Sequence, residues 1–380
     1  MRHKPLFYYQ NNCYNNFGEK MKKIGIICEY NPLHNGHVYH FNKIKSESKA
    51  DIIICVMSSS FSSRGDLSLF DKFTKTKQAL NLGIDLIVEL PLIYTLQRAD
   101  IFADNAVKIL NLLKVDEIWI GSETNDLSLY EKYYNNDIID NKSDYSTSYK
   151  DKSNIDLLSN DILGYSYFKS IKNNNFNIKL NTIKRITNNY LDKNLNTSNI
   201  QSALSIRTNI DSIDKYTPDY VYNDKNKILD ENTLFPYIKY KIITSSINKL
   251  NSLYFVDEGI EYKLKDIYKF NNYNDFIEYL SNKRYTKSRI KRMLIYILLN
   301  ITKSKANDIY KNDINFIRIL GYNTIGKQYL SSIKKNINIY TNIKNNINQI
   351  LDIELNTSKL IDTIYNTNIF TLEQNKPITK

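Results

Sequence analysis

Three of the chain's four histidines, His34, His37 and His40, stand in one short stretch, "EYNPLHNGHVYHF" (29–41); the fourth is His3. Two imidazoles three residues apart at a helix start can aim ring N–H donors at the same anion. The helix N-terminus adds unpaired backbone N–H groups and a positive dipole end. Gly36 between them lets a flat base or a phosphate come close to the backbone. This set fits a nucleoside triphosphate whose α-phosphate is attacked while pyrophosphate leaves, the imidazoles stabilising the charge that grows in the transition state. Metal binding is the rival chemistry. The three histidines lack the i, i+4 spacing of a helical metal pair, and no acidic or cysteine partner stands at a fixed offset. A chance grouping of surface or core histidines is the bland alternative, and the scarcity of histidine elsewhere weighs against it.

Such a set needs a scaffold that ends strands where helices begin. "KIGIICEY" (23–30), "DIIICVMS" (51–58), "DLIVELPLIY" (85–94) and "VDEIWIGSE" (115–123) are apolar runs of the buried-strand type. Between and after them "HVYHFNKIKSES" (37–48), "LFDKFTKTKQALNLG" (69–83, closed by Gly83) and "ADIFADNAVKILNLL" (99–113) carry helical periods. The alternation predicts a parallel sheet wrapped on both faces, with the histidines at a strand's carboxyl end, where open α/β sheets bind ligands. Residues 131–158 are polar and are expected to loop out. "NDILGYSYFKSIK" (160–172) reads as a helix, "NIKLNTIKRI" (177–186) as a late strand, and "NIQSALSIRTNI" (199–210) as a helix start capped by Ser202. Beyond about Asp214 the periods turn helical, "NDINFIRIL" (312–320) included. These patterns divide the chain into a leader of residues 1–20, an α/β nucleotide-binding domain of residues 21–212, and a mostly helical, basic domain of residues 213–380.

Composition sets the outer limits. The 380 residues are 42% hydrophobic, enough for a sizeable core, and the formal net charge is +12. That excess suits a polyanionic partner such as a nucleic acid. Much of the Asn, Lys, Ile and Tyr richness reads as codon drift. Of the three cysteines, Cys13, Cys28 and Cys55, the last two lie in apolar runs, which fits a reducing cytosol. No apolar run reaches membrane-spanning length. The leader lacks a signal peptide's apolar centre and "MKKIGIICEY" from Met21 reads as a second start, so a disordered extension or a mis-assigned start is expected there.

The span "IGIICEYNPLHNGHVYH" contains the HxGH-type signature of the nucleotidylyltransferase superfamily, and the chain resembles the bacterial tRNA(Met) cytidine acetate ligase family. The resemblance continues in order through "MSSSFSSRGDLSLFDKFTKTKQAL" (57–80), "GIDLIVELPLIYTLQRADIFADNAVKIL" (83–110), "IGSETND" (120–126), "NDILGYSYFKSI" (160–171), "KRYTKSRIKRM" (283–293) and "IRILG" (317–321). It implies a Rossmann-like parallel-sheet nucleotidylyltransferase domain followed by a mostly α-helical domain. It implies an ATP-dependent ligase that activates acetate as acetyl-adenylate, releases pyrophosphate, and acetylates N4 of the wobble cytidine of elongator tRNA(Met). Mg²⁺ would accompany the triphosphate, held by phosphate oxygens and water.

Carried over residue by residue, the ATP-binding segment is Ile27, Cys28, Glu29, Tyr30, Asn31, Pro32, Leu33, His34, Asn35, Gly36, His37, Val38, Tyr39 and His40, with His34 and His37 in the catalytic role. Gly121, Asn160, Arg185 and Ile186 match further ATP contacts. Arg207 in "SALSIRT" resembles the superfamily's second phosphate-binding motif, with Leu204 where a threonine is common. Arg64 and Lys72 match basic positions near the crevice, as acetate or tRNA contacts. Lys283, Arg284, Lys287, Arg289, Lys291 and Arg292, on an expected helix near Tyr285, suit RNA phosphates and a stacking ring. Ser63 replaces a common glutamine, Leu67-Ser68 a Pro-Ala pair, and residues 145–158 are shortened. No side chain looks like an obligatory nucleophile, so positioning and charge stabilisation carry the chemistry. Two other functions share the motif: a nucleotidylyltransferase joining AMP to a small phosphorylated cofactor precursor, which leaves the basic second half without a purpose, and a non-catalytic RNA-binding relative.

Overall fold

The computed structural model describes residues 21–139, 157–186, 199–344 and 348–380; the leader and the shortened 145–156 stretch lie outside them. Each expected strand forms: β1 (Lys23–Cys28), β2 (Ile52–Ser58), β3 (Leu86–Leu90), β4 (Glu117–Ser122) and β5 (Lys179–Lys184). They pair in parallel in the order β5-β4-β1-β2-β3. Strand order reverses between β1 and β4, which opens a crevice beyond their carboxyl ends.

The helices that position this crevice follow the sequence pattern. α1 (Asn35–Ser48) leaves β1, α2 (Lys72–Leu82) follows β2, and α3 (Ala99–Leu112) follows β3. α4 (Ser159–Asn173) precedes β5, and the short α5 (Ala203–Thr208) comes after it. Asp71 caps α2 with bonds from the Phe73 and Thr74 amides, and Gly83 ends it at φ 112°, a left-handed geometry that favours glycine. Ser202 caps α5, accepting from the Ser205 amide at 3.0 Å. α3 packs tightly on β1 because Gly25 has no side chain: a Cβ there would lie 2.9 Å from the Leu110 methyls. The expected loop at 131–158 begins instead as helix, since Leu127–Ile139 is helical.

The second half of the chain differs from its expected form. Helices α6 (Phe235–Thr244) and α7 (Lys287–Leu298) do form, but Lys283 and Arg284 lie before α7 rather than on it. "NDINFIRIL" is not helical. It supplies β6 (Phe316–Tyr322), which pairs antiparallel with β3 and extends the sheet. Short strands β7 (Asn338–Tyr340) and β8 (Ile378–Thr379) pair in parallel with β6. A short apolar run does not distinguish strand from buried helix by period alone. Here the run is broken by Arg318, which is 1% exposed and paired with Glu373 at 3.1 Å. Helices α8 (Gln349–Tyr365) and α9 (Ile369–Gln374) bring Glu354 and Glu373 onto the same sheet. The chain after residue 212 therefore completes the sheet of the first half. Among the described residues no helix is long and apolar enough to cross a membrane.

Candidate active site

A cavity of about 390 Å³ runs along the carboxyl edge of the sheet, within the range of small-molecule sites. The end of β1 and start of α1 line it with Ile27, Cys28, Glu29, Tyr30, Asn31, His34, Gly36, His37, Tyr39 and His40. On the β4–β5 side stand Trp119, Ile120, Gly121, Ile183, Lys184, Arg185 and Ile186, faced by Ser159, Asn160, Ile162, Leu163 and Tyr167 of α4. On the β2–β3 side stand Ser63, Arg64, Gln97 and Ala99, with Ser288 and Arg292 from α7; Ala203 and Arg207 come from α5. Arg64, Lys184, Arg185, Arg207 and Arg292 set five cations against one lining carboxylate, Glu29.

His34 is the N-cap of α1, a place usually held by a small oxygen-bearing side chain. Its Nδ1 accepts from the Gly36 amide at 3.0 Å, and the His37 Nδ1 accepts from the His34 amide at 3.2 Å, closing a capping box built from two imidazoles. With both Nδ1 atoms accepting, each neutral ring carries its proton on Nε2 and has one N–H to offer the cavity. The rings lie 3.9 Å apart, and Tyr30 meets His37 edge-on at 4.9 Å. Burial, then the cations Arg185 and Arg207, lower the His34 pKa to about 3. Burial and the neighbouring His34 and Arg185 depress His37, and burial and Arg185 take His40 to about 4. All three are neutral donors or acceptors at neutral pH. His40 Nε2 is buried with no hydrogen-bond partner.

Gly36 lines the cavity and also serves the cap. A Cβ there would lie 2.8 Å from His34 Cε1, so the missing side chain makes room for the capping ring. Asn31 spends its amide on the fold, donating to the Leu67 carbonyl at 3.3 Å and accepting from the Leu69 amide at 2.7 Å. Arg207 donates to the Asn31 carbonyl at 2.6 Å and reaches Asp66 at 3.5 Å, tying α5 across the histidine segment. Lys75, fully buried, clamps the strand ends by donating to the carbonyls of Glu29 (3.0 Å) and Ser58 (2.8 Å); burial lowers its pKa to about 8. At the end of β4, Asp161 accepts from the Thr124 amide at 2.9 Å and from Tyr130 at 2.8 Å, and the Asn160 amide donates to Glu123. Gly121 sits against the aliphatic stem of Arg185, with a Cβ position 3.4 Å from its Cγ.

Several expected site residues lie elsewhere. Pro32, Leu33, Asn35 and Val38 do not line the cavity. Leu33 is fully buried in the core, and Asn35 ties α1 to the carbonyls of Asn199 (3.0 Å) and Lys215 (3.4 Å). Lys72 is wholly buried among Glu89 (2.5 Å), Glu354 (3.1 Å) and Glu373, out of reach of any crevice ligand. Burial works against its charge, yet Glu373, Glu89 and Glu354 hold its pKa above the ordinary lysine range. Those carboxylates are the one group among the described residues placed to hold a metal, and the Lys72 ammonium occupies it. The histidines form no such group there. Arg284 pairs with Glu258, and Lys287 with Glu278. Arg289 lies 4.1 Å over the Tyr285 ring, and Lys291 turns inward to Asp66 (2.7 Å) and Glu231 (2.8 Å). Of that basic run, only Arg292 lines the cavity. Of the apolar wall, Ile27 and Ile186 stand among the expected contacts, while Trp119, Ile120, Ile162 and Leu163 do not. Trp119, the chain's single tryptophan, lay in a quoted strand two residues before Gly121, so its place was legible.

The sequence matches the model of the HIGH Nucleotidyl Transferase family over residues 21–376. It is 36% identical over 342 residues to the tRNA(Met) cytidine acetate ligase of Oenococcus oeni, covering 84% of this chain and 89% of that one. It is 37% identical over 334 residues to a Staphylococcus aureus protein of the same name, covering 83% and 87%. The fold matches the crystal structure of apo Thermotoga maritima TmcAL with TM-score 0.80 at 23% identity, over 94% of this chain and 99% of that one. The same protein bound with alpha-thio ATP matches with TM-score 0.78 at 23% identity, over the same shares. From the family match and these relatives, this chain belongs to the HIGH nucleotidyl transferases and, among them, to the tRNA(Met) cytidine acetate ligase family.

Proposed function

We propose that the chain activates acetate with ATP to acetyl-adenylate and pyrophosphate, then passes the acetyl group to N4 of the wobble cytidine of elongator tRNA(Met). One observation carries the chemistry: two neutral imidazoles cap α1 through Nδ1, leaving two Nε2–H donors and the helix's amino end at a cation-lined cavity. The relatives named above carry the substrate assignment.

In this reading the triphosphate lies over β1 and α1. His34 and His37 donate to its phosphate oxygens, and Arg185 and Arg207 supply fixed positive charge. The base lies on the β4–β5 side, against Trp119, Ile120 and Ile186, with Asn160 at hand. An acetate oxygen bonds to the α-phosphorus as the bond to pyrophosphate breaks, the leaving group taking the electron pair. The cytidine N4 then bonds to the acetyl carbon, AMP departs, and N4 loses its proton. The wobble base is unpaired, which keeps its extrusion into a pocket inexpensive. Mg²⁺ bound to the triphosphate would neutralise phosphate charge. Glu29, the one lining carboxylate, accepts from the Ser63 amide at 2.6 Å, and phosphate oxygens and water would supply most of the ion's ligands. The free thiols of Cys28 and Cys55 suit a reducing cytoplasm, where the tRNA resides.

The test is incubation of the protein with ATP, radiolabelled acetate and tRNA(Met). Label is expected on the tRNA as N4-acetylcytidine, identified by mass spectrometry of the digested nucleosides. Intact ATP binding without label on the tRNA would reject the reading. Acetate-independent adenylylation of a phosphorylated cofactor precursor would replace it with the smaller transferase activity.

A further inference from the structure

The cavity's β2–β3 end has its own construction. Arg292 enters from α7 and donates through Nη1 to the carbonyls of Ser63 (2.9 Å) and Gln97 (3.1 Å). Its Nε is buried with no hydrogen-bond partner. Among the described residues no carboxylate pairs with it. The nearby acids are engaged elsewhere: Asp66 and Glu231 with Lys291, Asp100 with Arg98 at 2.5 Å. Arg64 lines the same end. Burial, with the cations Arg289, Arg98 and Arg64 around it, lowers the Arg292 pKa to about 10. The placement is rigid. Gly65, at φ +85°, presses the Ser63–Asp66 turn onto α7 so closely that a Cβ would lie 2.6 Å from the Arg292 amide nitrogen.

A buried guanidinium without a counter-charge costs several kcal/mol, and an anionic ligand removes that cost. We infer that this end of the cavity seats the carboxylate of the acid substrate, acetate, forked on Arg292 beside Arg64. The inference rests on the ligase reading above. A guanidinium edge matches a planar carboxylate bidentately, and a small carboxylate fits a cavity end that Arg292 and Arg64 line. The position also fits the reaction. Strands lie about 4.8 Å apart, so the ends of β2 and β3 flank the phosphates held over β1. In-line displacement requires the carboxylate to meet the α-phosphorus opposite the departing pyrophosphate. The carboxylate oxygen forms the new O–P bond while the Pα–O bond to pyrophosphate breaks, and no proton moves because acetate enters ionised. The subsite joins residues far apart in sequence, so the chain's second half contributes to adenylate formation.

The test compares wild type with Arg292→Lys, Arg292→Met and Arg64→Met. It uses acetate-dependent ATP–pyrophosphate exchange, ATP binding by calorimetry, tRNA filter binding, and thermal unfolding as a fold check. Arg292→Lys keeps the charge and loses the fork, so the acetate KM is expected to rise by about tenfold or more, the worth of one charge-assisted hydrogen bond. ATP and tRNA Kd should stay within about twofold, because their contacts are elsewhere. Arg64→Met should raise the same KM, and it carries the test if Arg292→Met fails to fold. An unchanged acetate KM in the folded variants overturns the assignment. So does a shift confined to ATP Kd, which marks a pyrophosphate site, or to tRNA Kd, which marks an RNA phosphate. Absence of acetate-dependent exchange in the wild type removes the ligase reading, and the subsite with it.

Discussion

His34 and His37 each do two jobs with one ring. Nδ1 ends a helix, and Nε2 is left for the ligand, so the cap fixes the tautomer that the chemistry needs. His37→Ala should lower the rate of pyrophosphate formation by ~10²–10³, the cost of one lost donor to developing charge. tRNA Kd should change little; equal losses in single-turnover rate and tRNA affinity would argue against the role. The same burial makes these rings sensitive to acid. His34 titrates near 3 in the folded protein against 6.5 in the free side chain. Between those values the unfolded chain binds the proton and the folded one does not. The stability His34 confers is complete above pH 6.5 and is lost as pH falls toward 3, by up to about 1.4 kcal/mol per pH unit. Urea unfolding at pH 7.5 and pH 5 should show the fall, and His34→Asn, which keeps a capping side chain without the titration, should make it shallower, the buried His37 and His40 keeping the rest.

At the scale of elements, the buried ion cluster does what a hydrophobic seam does elsewhere. Lys72 at the start of α2, Glu89 in β3, Glu354 in α8 and Glu373 in α9 converge with no exposed side chain among them. Replacing the cation leaves carboxylates buried and facing one another. Lys72→Met should cost about 3–5 kcal/mol in urea unfolding, while ATP Kd of the folded fraction stays unchanged. A loss under about 1 kcal/mol, or a selective loss of acetate or tRNA binding, would return Lys72 to the crevice role that its basic match implied. α7 shows a similar division of labour. Its Lys291 is spent on Asp66 and Glu231, its Arg292 faces the cavity, and Arg289 covers Tyr285. A run that reads as one basic face is therefore three separate functions.

At the scale of the whole molecule, the boundary near residue 212 marks a change of composition rather than a physical seam. β6 pairs with β3, and Lys72 bonds to Glu354 across 282 positions of sequence. A chain ending at 212 would expose the edge of β3 and leave Lys72 with Glu89 but without Glu354 and Glu373. A fragment of residues 21–212 is expected to be unfolded or aggregated, as read by circular dichroism and amide dispersion in NMR. A stable, ATP-binding fragment would reinstate the boundary as that of an independent domain.

The sequence by itself determined the strand–helix alternation, the end of the sheet that carries chemistry, and local devices such as the Ser202 cap and the Gly83 stop. Those are short-range matters, set by hydrophobic period and by a side chain's reach to its own backbone. It also delivered the family and most of the cavity's β1 wall, because the histidine motif is contiguous. The fate of the cations was decided only in three dimensions. Lys72, Lys291, Arg292 and Arg318 are alike as letters in a lysine-rich chain. One is locked in a carboxylate cage, one ties a turn to a helix, one lines the cavity and one is buried in a strand. The partners that make this difference arrive from distant parts of the chain, and burial sets the strength of each charge only after they have arrived.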